Sequence, residues 1–221
     1  MAELSLYRNV LYVQYWDIIQ EKEEEYEKFV TEEYIPKIKQ IGFNVVGGYY
    51  VEVGQGPGVI ACLSMDDPVG VNELVISNDF IELTNKLAFY IRNRKAVLLF
   101  STGRVSKGEY KIQENVWKLN YHYNVKPNKK PEYREFIKRL IDIFDKIDFV
   151  ELTEEWRVLY GGEADYIVEF SFKDPYDIGR LMRLPEFRDV EKEVRKNFVE
   201  VKSSKILRCT ERFEKPRWLK L

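Results

Sequence analysis

"NVLYVQYW" (residues 9–16) is answered by "NVWKLNYH" (residues 115–122), which places Asn9 against Asn115, Val10 against Val116 and Tyr15 against Tyr121, 106 positions on. One added residue then moves the spacing to 107. At that spacing Tyr26 and Phe29 meet Tyr133 and Phe136, and Val51 and Gly54 meet Val158 and Gly161. Ser64 meets Ser171, Asp67-Pro68 meets Asp174-Pro175, and Leu74 and Phe80 meet Leu181 and Phe187. The order is kept along the whole chain, so the sequence reads as two copies of one unit, and repeats of this kind govern how every other signal is interpreted.

Each copy reads strand, helix, strand, strand, helix, strand. "VLYVQYW" is rich in β-branched and aromatic residues, as a half-buried strand requires. Residues 21–41 carry Tyr26, Phe29, Val30, Ile38 and Ile41 mostly at three- and four-residue steps, with Glu and Lys on the opposite face, which predicts a helix. Pro36 lies inside it and should kink or divide it, and Gly42 should close it. "FNVVGGYYVEV", "GQGPG" and "VIACLSM" follow as strand, turn and strand; "LTEEWRVLY", "GGEAD" and "YIVEFSF" are the second copy. "DDPVGVNELV" and "DPYDIGRLM" open the second helical regions with Asp and Pro at their starts, and "KAVLLFS" and "SKILRCT" are the final strands. The polar, Gly-containing stretch around residues 106–112 places the boundary there, giving units 1–107 and 108–221.

A βαββαβ unit is ferredoxin-like: both helices lie on one face of a four-stranded antiparallel sheet, and the other face needs cover. Two units in one chain can cover each other. The expected fold is therefore α+β, with the two sheets packed as an intramolecular barrel. This arrangement resembles the dimeric α+β barrel superfamily, in its tandem-repeat form. "IGFNVVGGYYVEVGQGPGVIACLSMDDP" (residues 41–68) also resembles the Gly-rich strand and hairpin of NIPSNAP-like modules. The superfamily holds cofactor-free monooxygenases, isomerases, chlorite-dismutase-like heme proteins and non-catalytic proteins, so the resemblance implies a fold and leaves the reaction open.

Side-chain alternation then selects candidate site residues. In "WKLNYHYNV", Trp117, Leu119, Tyr121 and Tyr123 share one face, expected to meet the helices. Lys118, Asn120 and His122 share the other, expected to face the barrel. His122 is the only histidine in the chain. The repeat predicts Tyr12, Gln14 and Trp16 as its barrel-facing counterparts, and alternation adds Glu169, Glu155 and Arg157 to the same side. The resulting cluster offers His122 as a general base, Glu169 as the carboxylate that orients it, and Trp16, Asn120 and Arg157 as the wall of a ligand pocket. The same residues equally suit an inter-sheet layer of satisfied polar groups. The heme members of the superfamily imply an axial histidine from a later helical segment, a position that His122, on the opening strand, does not match. No metal or other cofactor is expected, since a facial triad or a catalytic zinc needs more than one histidine.

Composition excludes several partners. With 35 Lys+Arg against 37 Asp+Glu and interleaved charges, no stripe suited to nucleic acid or to a membrane surface stands out. The early charges in "MAELSLYRNVLYVQYWD" argue against a secretory leader, no segment approaches 18 consecutive apolar residues, and a cytoplasmic protein is expected. Cys62 and Cys209 lack CxxC spacing and read as buried thiols. Two function classes follow. One is a small-molecule-binding or structural protein without catalytic machinery, taking a small apolar or aromatic ligand and self-associating into a homo-oligomer. The other is a cofactor-free monooxygenase or isomerase acting on an aromatic or enolisable molecule; a chlorite-dismutase-like heme protein stands behind both.

Overall fold

The computed structural model describes residues 10–65, 68–105, 110 and 116–210. Eight strands close into one antiparallel barrel: β1 (Val10–Ile18), β2 (Asn44–Val53), β3 (Val59–Met65), β4 (Ile91–Ser101), β5 (Trp117–Val125), β6 (Glu151–Tyr160), β7 (Tyr166–Phe172) and β8 (Val199–Thr210). Around the barrel they run β1-β3-β2-β8-β5-β7-β6-β4. The first four strands are contiguous in the order β4-β1-β3-β2 and the last four in the order β8-β5-β7-β6. Two seams join the sets, β2 to β8 and β4 to β6. Of the expected boundary at 106–112 only Tyr110 is described, and Asn9, Asp67 and Asn115 of the repeat also lie outside the described residues.

The helices pack outside the barrel: α1 (Glu23–Phe29), α2 (Ile35–Ile41), α3 (Pro68–Val75) and α4 (Asn78–Leu87) on the first four strands, and α5 (Lys130–Phe144), α6 (Tyr176–Arg183) and α7 (Pro185–Asn197) on the last four. Pro36 divides its helix as expected. Having no N–H and crowding the carbonyl four residues back, it cannot sit in a continuous α-helical ladder, and the turn Val30–Tyr34 just before it widens to π-helical bonding. Gly42 ends α2 at φ 116°. The corresponding α5 carries its proline, Pro131, in the first turn and runs unbroken for 15 residues.

Three apolar cores result, one between each set of helices and its strands and one inside the barrel. As expected, Leu119 and Tyr123 of β5 and Val168, Phe170 and Phe172 of β7 pack under the helices, while Ile167 faces the barrel. β1 departs from expectation. Trp16 is fully buried beneath the helices and donates from Nε1 to Tyr26 Oη at 3.0 Å, and Gln14 bonds Tyr34 there; Leu11, Val13 and Tyr15 face the barrel. The reason lies in the register. Tyr15 pairs with Ile60 and His122 pairs with Ile167, so the barrel equates positions 107 apart from its first strand onward, and His122 corresponds to Tyr15 rather than to Trp16.

β6 departs in the same way. Trp156 pairs with Ile167, and directly opposed residues share a face, so Trp156 enters the barrel. Glu155 and Arg157 are thereby turned outward, toward the helices. Close approach at the β4–β6 seam requires glycine at position 161 (φ 81°): a Cβ there would lie 2.1 Å from the carbonyl oxygen of Ala96.

Candidate functional site

Inside the barrel, β5 and β7 bring together Lys118, Asn120, His122 and Glu169. Lys118 Nζ donates to Glu169 Oε1 at 2.5 Å and to Tyr110 Oη at 2.9 Å, and Tyr110 donates to Glu169 Oε2 at 3.2 Å. Tyr110 also contacts the Tyr49 hydroxyl, and the Lys118 ammonium sits over both rings, 4.7 Å from the Tyr110 centroid and 5.3 Å from that of Tyr49. The pair is almost completely enclosed, with side chains 3% and 4% exposed. Glu169 is thus committed to a lysine and a tyrosine. It does not orient His122, whose Nε2 is buried with no hydrogen-bond partner among the described residues; Asn120 Oδ1 is in the same condition.

The expected His122–Glu169 dyad therefore places both members in the barrel without joining them. Trp16 and Arg157 are absent from that wall, since one lies under the helices and the other is exposed outside. The space left between the sheets measures about 30 Å³, room for about one or two water molecules and no more.

Burial, then the Lys205 and Lys95 ammonium groups, push the His122 imidazole down to about 4. The unfolded chain takes up this proton as pH falls below about 6.5, whereas the folded chain does so only near 4, so folding should lose stability across that window. The shift corresponds to about 3 kcal/mol. Denaturant unfolding of the wild type and of His122→Gln at pH 7 and pH 4 checks it: the variant should lose less on acidification, and equal losses would refute the assignment.

A second site lies outside the barrel, between the β5–β7–β8 face and helices α5 and α7. Its cavity of about 60 Å³ is bounded by Tyr121, Phe136, Phe170, Phe187 and Val194. Tyr123 and Tyr133 also line it, and their hydroxyls are in contact with each other and both within reach of Glu155 Oε1, at 3.0 and 2.6 Å. Glu155 is fully buried and its other oxygen accepts from Thr102 Oγ1 at 2.7 Å and from Arg104 Nε at 2.5 Å. Burial and the Glu155 charge push both tyrosines well above their usual 10, so each stays protonated near neutral pH. Both hydroxyls are turned from the cavity toward Glu155, so a ligand reaches their lone pairs only once the cavity has opened.

Sequence reasoning puts Tyr121 and Tyr123 on the helix-facing side of β5 and among the aromatics able to line an apolar pocket, but it places Glu155 on the wrong side and so misses this network. The three polar residues come from β5, α5 and β6 with no local spacing to connect them. A signal does exist: Tyr26 and Tyr133 occupy matching positions, and Tyr26 already meets a ring-borne donor, Trp16, across its own helix–strand interface.

Behind the network a larger cleft of about 770 Å³ is lined by Arg104, Arg134, Lys138, Arg157 and Tyr166. Among the described residues, no group of three or more His, Cys, Asp or Glu side chains could hold a metal ion, and no helix is long and apolar enough to cross a membrane.

No family model matches this sequence, and no curated protein matches it. Solved structures do. A "putative monooxygenase" from Fusobacterium nucleatum superposes with a TM-score of 0.59 at 13% identity, covering 96% of this chain and 98% of that one. An anthrone oxidase-like protein gives 0.62 at 11%, covering 92% and 91%, and a heme-binding protein from Thermus thermophilus gives 0.54 at 12%, covering 91% and 90%. The fold is that of the dimeric α+β barrels. At these identities the likeness establishes the architecture alone, and the chemistry of this dimeric α+β barrel has to be read from its own side chains.

Proposed function

We propose that this chain is a small-molecule-binding dimeric α+β barrel, built from two tandem ferredoxin-like units (1–107 and 108–221). Its ligand is a small aromatic or enolisable molecule carrying a hydroxyl group, bound between the second unit's sheet and helices α5 and α7. One observation carries this reading: an aromatic-walled cavity lies against the rings of two tyrosines whose hydroxyls share one buried carboxylate behind it. A mostly apolar space with a few convergent polar groups is the usual form of a small-molecule site. The present volume is well below the roughly 150 Å³ that accommodates benzene in an apolar protein cavity. Binding must then displace α7, which is suited to move because Phe187 is its only buried residue. The buried free thiols Cys62 and Cys209 accord with a reducing, cytoplasmic setting.

The same hydroxyls favour a second reading, a cofactor-free monooxygenase or isomerase. Tyr133 could take a proton from the ligand's hydroxyl while passing its own to Glu155, leaving an enolate or phenolate held in an apolar site. The residues present do not suit heme. The single histidine projects from the opposite face of β5 with its Nε2 buried, and it borders only a void of about 30 Å³ and a basin of about 330 Å³, neither with room for a porphyrin.

Titration with 4-nitrophenol, whose visible band reports its ionisation, tests the binding site. Saturable binding should abolish part of the phenolate band, because a second anion beside Glu155 is disfavoured. Val194→Trp should fill the cavity and remove binding. Tyr133→Phe should weaken 4-nitrophenol by roughly 3- to 10-fold, the value of one hydrogen bond, while leaving nitrobenzene unaffected. Undiminished binding to the Val194→Trp variant would rule the site out. Oxygen consumption with a hydroxylated polycyclic aromatic, lost in Glu155→Gln, would favour the enzyme.

A further inference from the structure

One mouth of the barrel opens into a basin of about 330 Å³ that the proposed ligand site does not use. Its rim is formed by the two Gly-rich turns, at Gln55 and Gly56 and at Gly161 to Ala164, and its floor by Tyr15, His122 and Lys205. Lys95 and Lys202 stand at its edge. Lys202 is paired with Glu200 at 2.7 Å. Lys205 is different: only 8% of it is exposed, its ammonium donates to the carbonyl oxygen of Gln55, and it has no ion pair among the described residues. Lys95 likewise has none there, making only a contact over the Tyr15 ring, 5.4 Å from the centroid.

Two cations facing one basin without a paired carboxylate are costly, the more so when one of them is buried. Burial, and then the Lys95 charge, lowers the Lys205 ammonium below its usual range, and Glu163 on the rim opposes this. A second observation points the same way. His122 forms part of both the basin and the small void behind it, and Asn120, 8% exposed, lies in that void with Oδ1 unpartnered. The basin thus combines unneutralised positive charge with unsatisfied polar atoms at its inner end.

We propose that this basin binds the oxyanion of a small molecule, a carboxylate or a phosphate, held between Lys95 and Lys205, with the His122 ring N–H able to donate to it and Asn120 Oδ1 reached only through an ordered water that donates to both. The first unit offers no equivalent, since its counterparts of His122 and Asn120 are Tyr15 and Val13, so each chain carries one such site. This site is separate from the tyrosine-lined cavity, and either can fail without the other.

The lone histidine provides the measurement. Inorganic phosphate and malonate are each titrated into the full chain against sodium chloride at matched ionic strength, following the His122 imidazole by nuclear magnetic resonance over a pH series. Burial is the main cause of the low imidazole midpoint, and the lysine charges lower it further; a bound anion offsets that second part, so the midpoint should rise and saturate with phosphate, malonate or both, and which of them acts distinguishes a phosphate from a carboxylate ligand. Lys95→Gln and Lys205→Met should each weaken binding by about tenfold or more. Lys95 is exposed, so its variant decides the matter even if the Lys205 variant fails to fold. An identical response to sodium chloride, no response to either anion, or wild-type affinity in Lys95→Gln would overturn the proposal.

Discussion

Glu155→Ala is expected to cost about 3–5 kcal/mol of stability, because it leaves two buried tyrosine hydroxyls without their acceptor and a half-buried arginine without its partner. Arg104 loses the carboxylate it meets at 2.5 Å and Thr102 its acceptor at the cleft, while Tyr123 and Tyr133 lose theirs inside the buried helix–strand interface. For a chain of this size that loss lowers the melting temperature by roughly 10 °C. Glu155→Gln keeps an acceptor oxygen and the shape of the side chain, so it should lose clearly less. Calorimetry of both variants is the check. An alanine variant melting within about 2 °C of the wild type would mean that the network is not under this strain.

The second large effect concerns Lys118 and Glu169, and here the chain contains its own control. Lys118 pairs with Ser171 and Asn120 with Glu169 in β5–β7, while Leu11 pairs with Ser64 and Val13 with Cys62 in β1–β3. Where β5 and β7 bury a lysine and a glutamate in the barrel, β1 and β3 bury Leu11 and Cys62. Removing one charge, as in Glu169→Ala, should cost about 3–5 kcal/mol, because the other stays behind in the dry interior. Replacing both, Lys118→Leu with Glu169→Leu, should return stability to within about 1 kcal/mol of the wild type or better, since a buried pair often only breaks even against apolar side chains. Tyr49 and Tyr110 keep each other's hydroxyls in the double variant. A double variant as unstable as the sum of the singles would show that the pair is needed for packing and not merely tolerated.

Where polar and apolar residues alternate cleanly, orientation was legible. "NYHYNV" and "YIVEFSF" each have one polar face, and His122 and Glu169 enter the barrel as that pattern requires. β1 carries no such information: every residue from Val13 to Trp16 is buried, because helices cover one side and the opposite sheet the other. A strand wet on neither face cannot reveal its phase by hydropathy, and identity matching at 106 selected the wrong one. β6 fails for a related reason. Glu154, Glu155 and Trp156 are all buried, and the register slips between Leu152 and Glu154, so counting along the strand misplaces Arg157 as well. The tyrosine–glutamate network was beyond reach for a simpler reason, since it depends on three elements meeting in space.

Closure of the barrel also has a kinetic side. A closed sheet offers no free strand edge on which another chain could build, which removes a common route to aggregation. Yet the seam that pairs Tyr49 with Cys209 joins residues 160 positions apart, whereas β1 meets β4 and β5 meets β8 within their own halves. Chain entropy makes such distant contacts the slowest to form, so each half will have folded while its outer strands are still unpaired. The sticky edges that the finished molecule lacks are therefore present for a time in every molecule that folds, and a refolding experiment at rising protein concentration would meet them before the native state does.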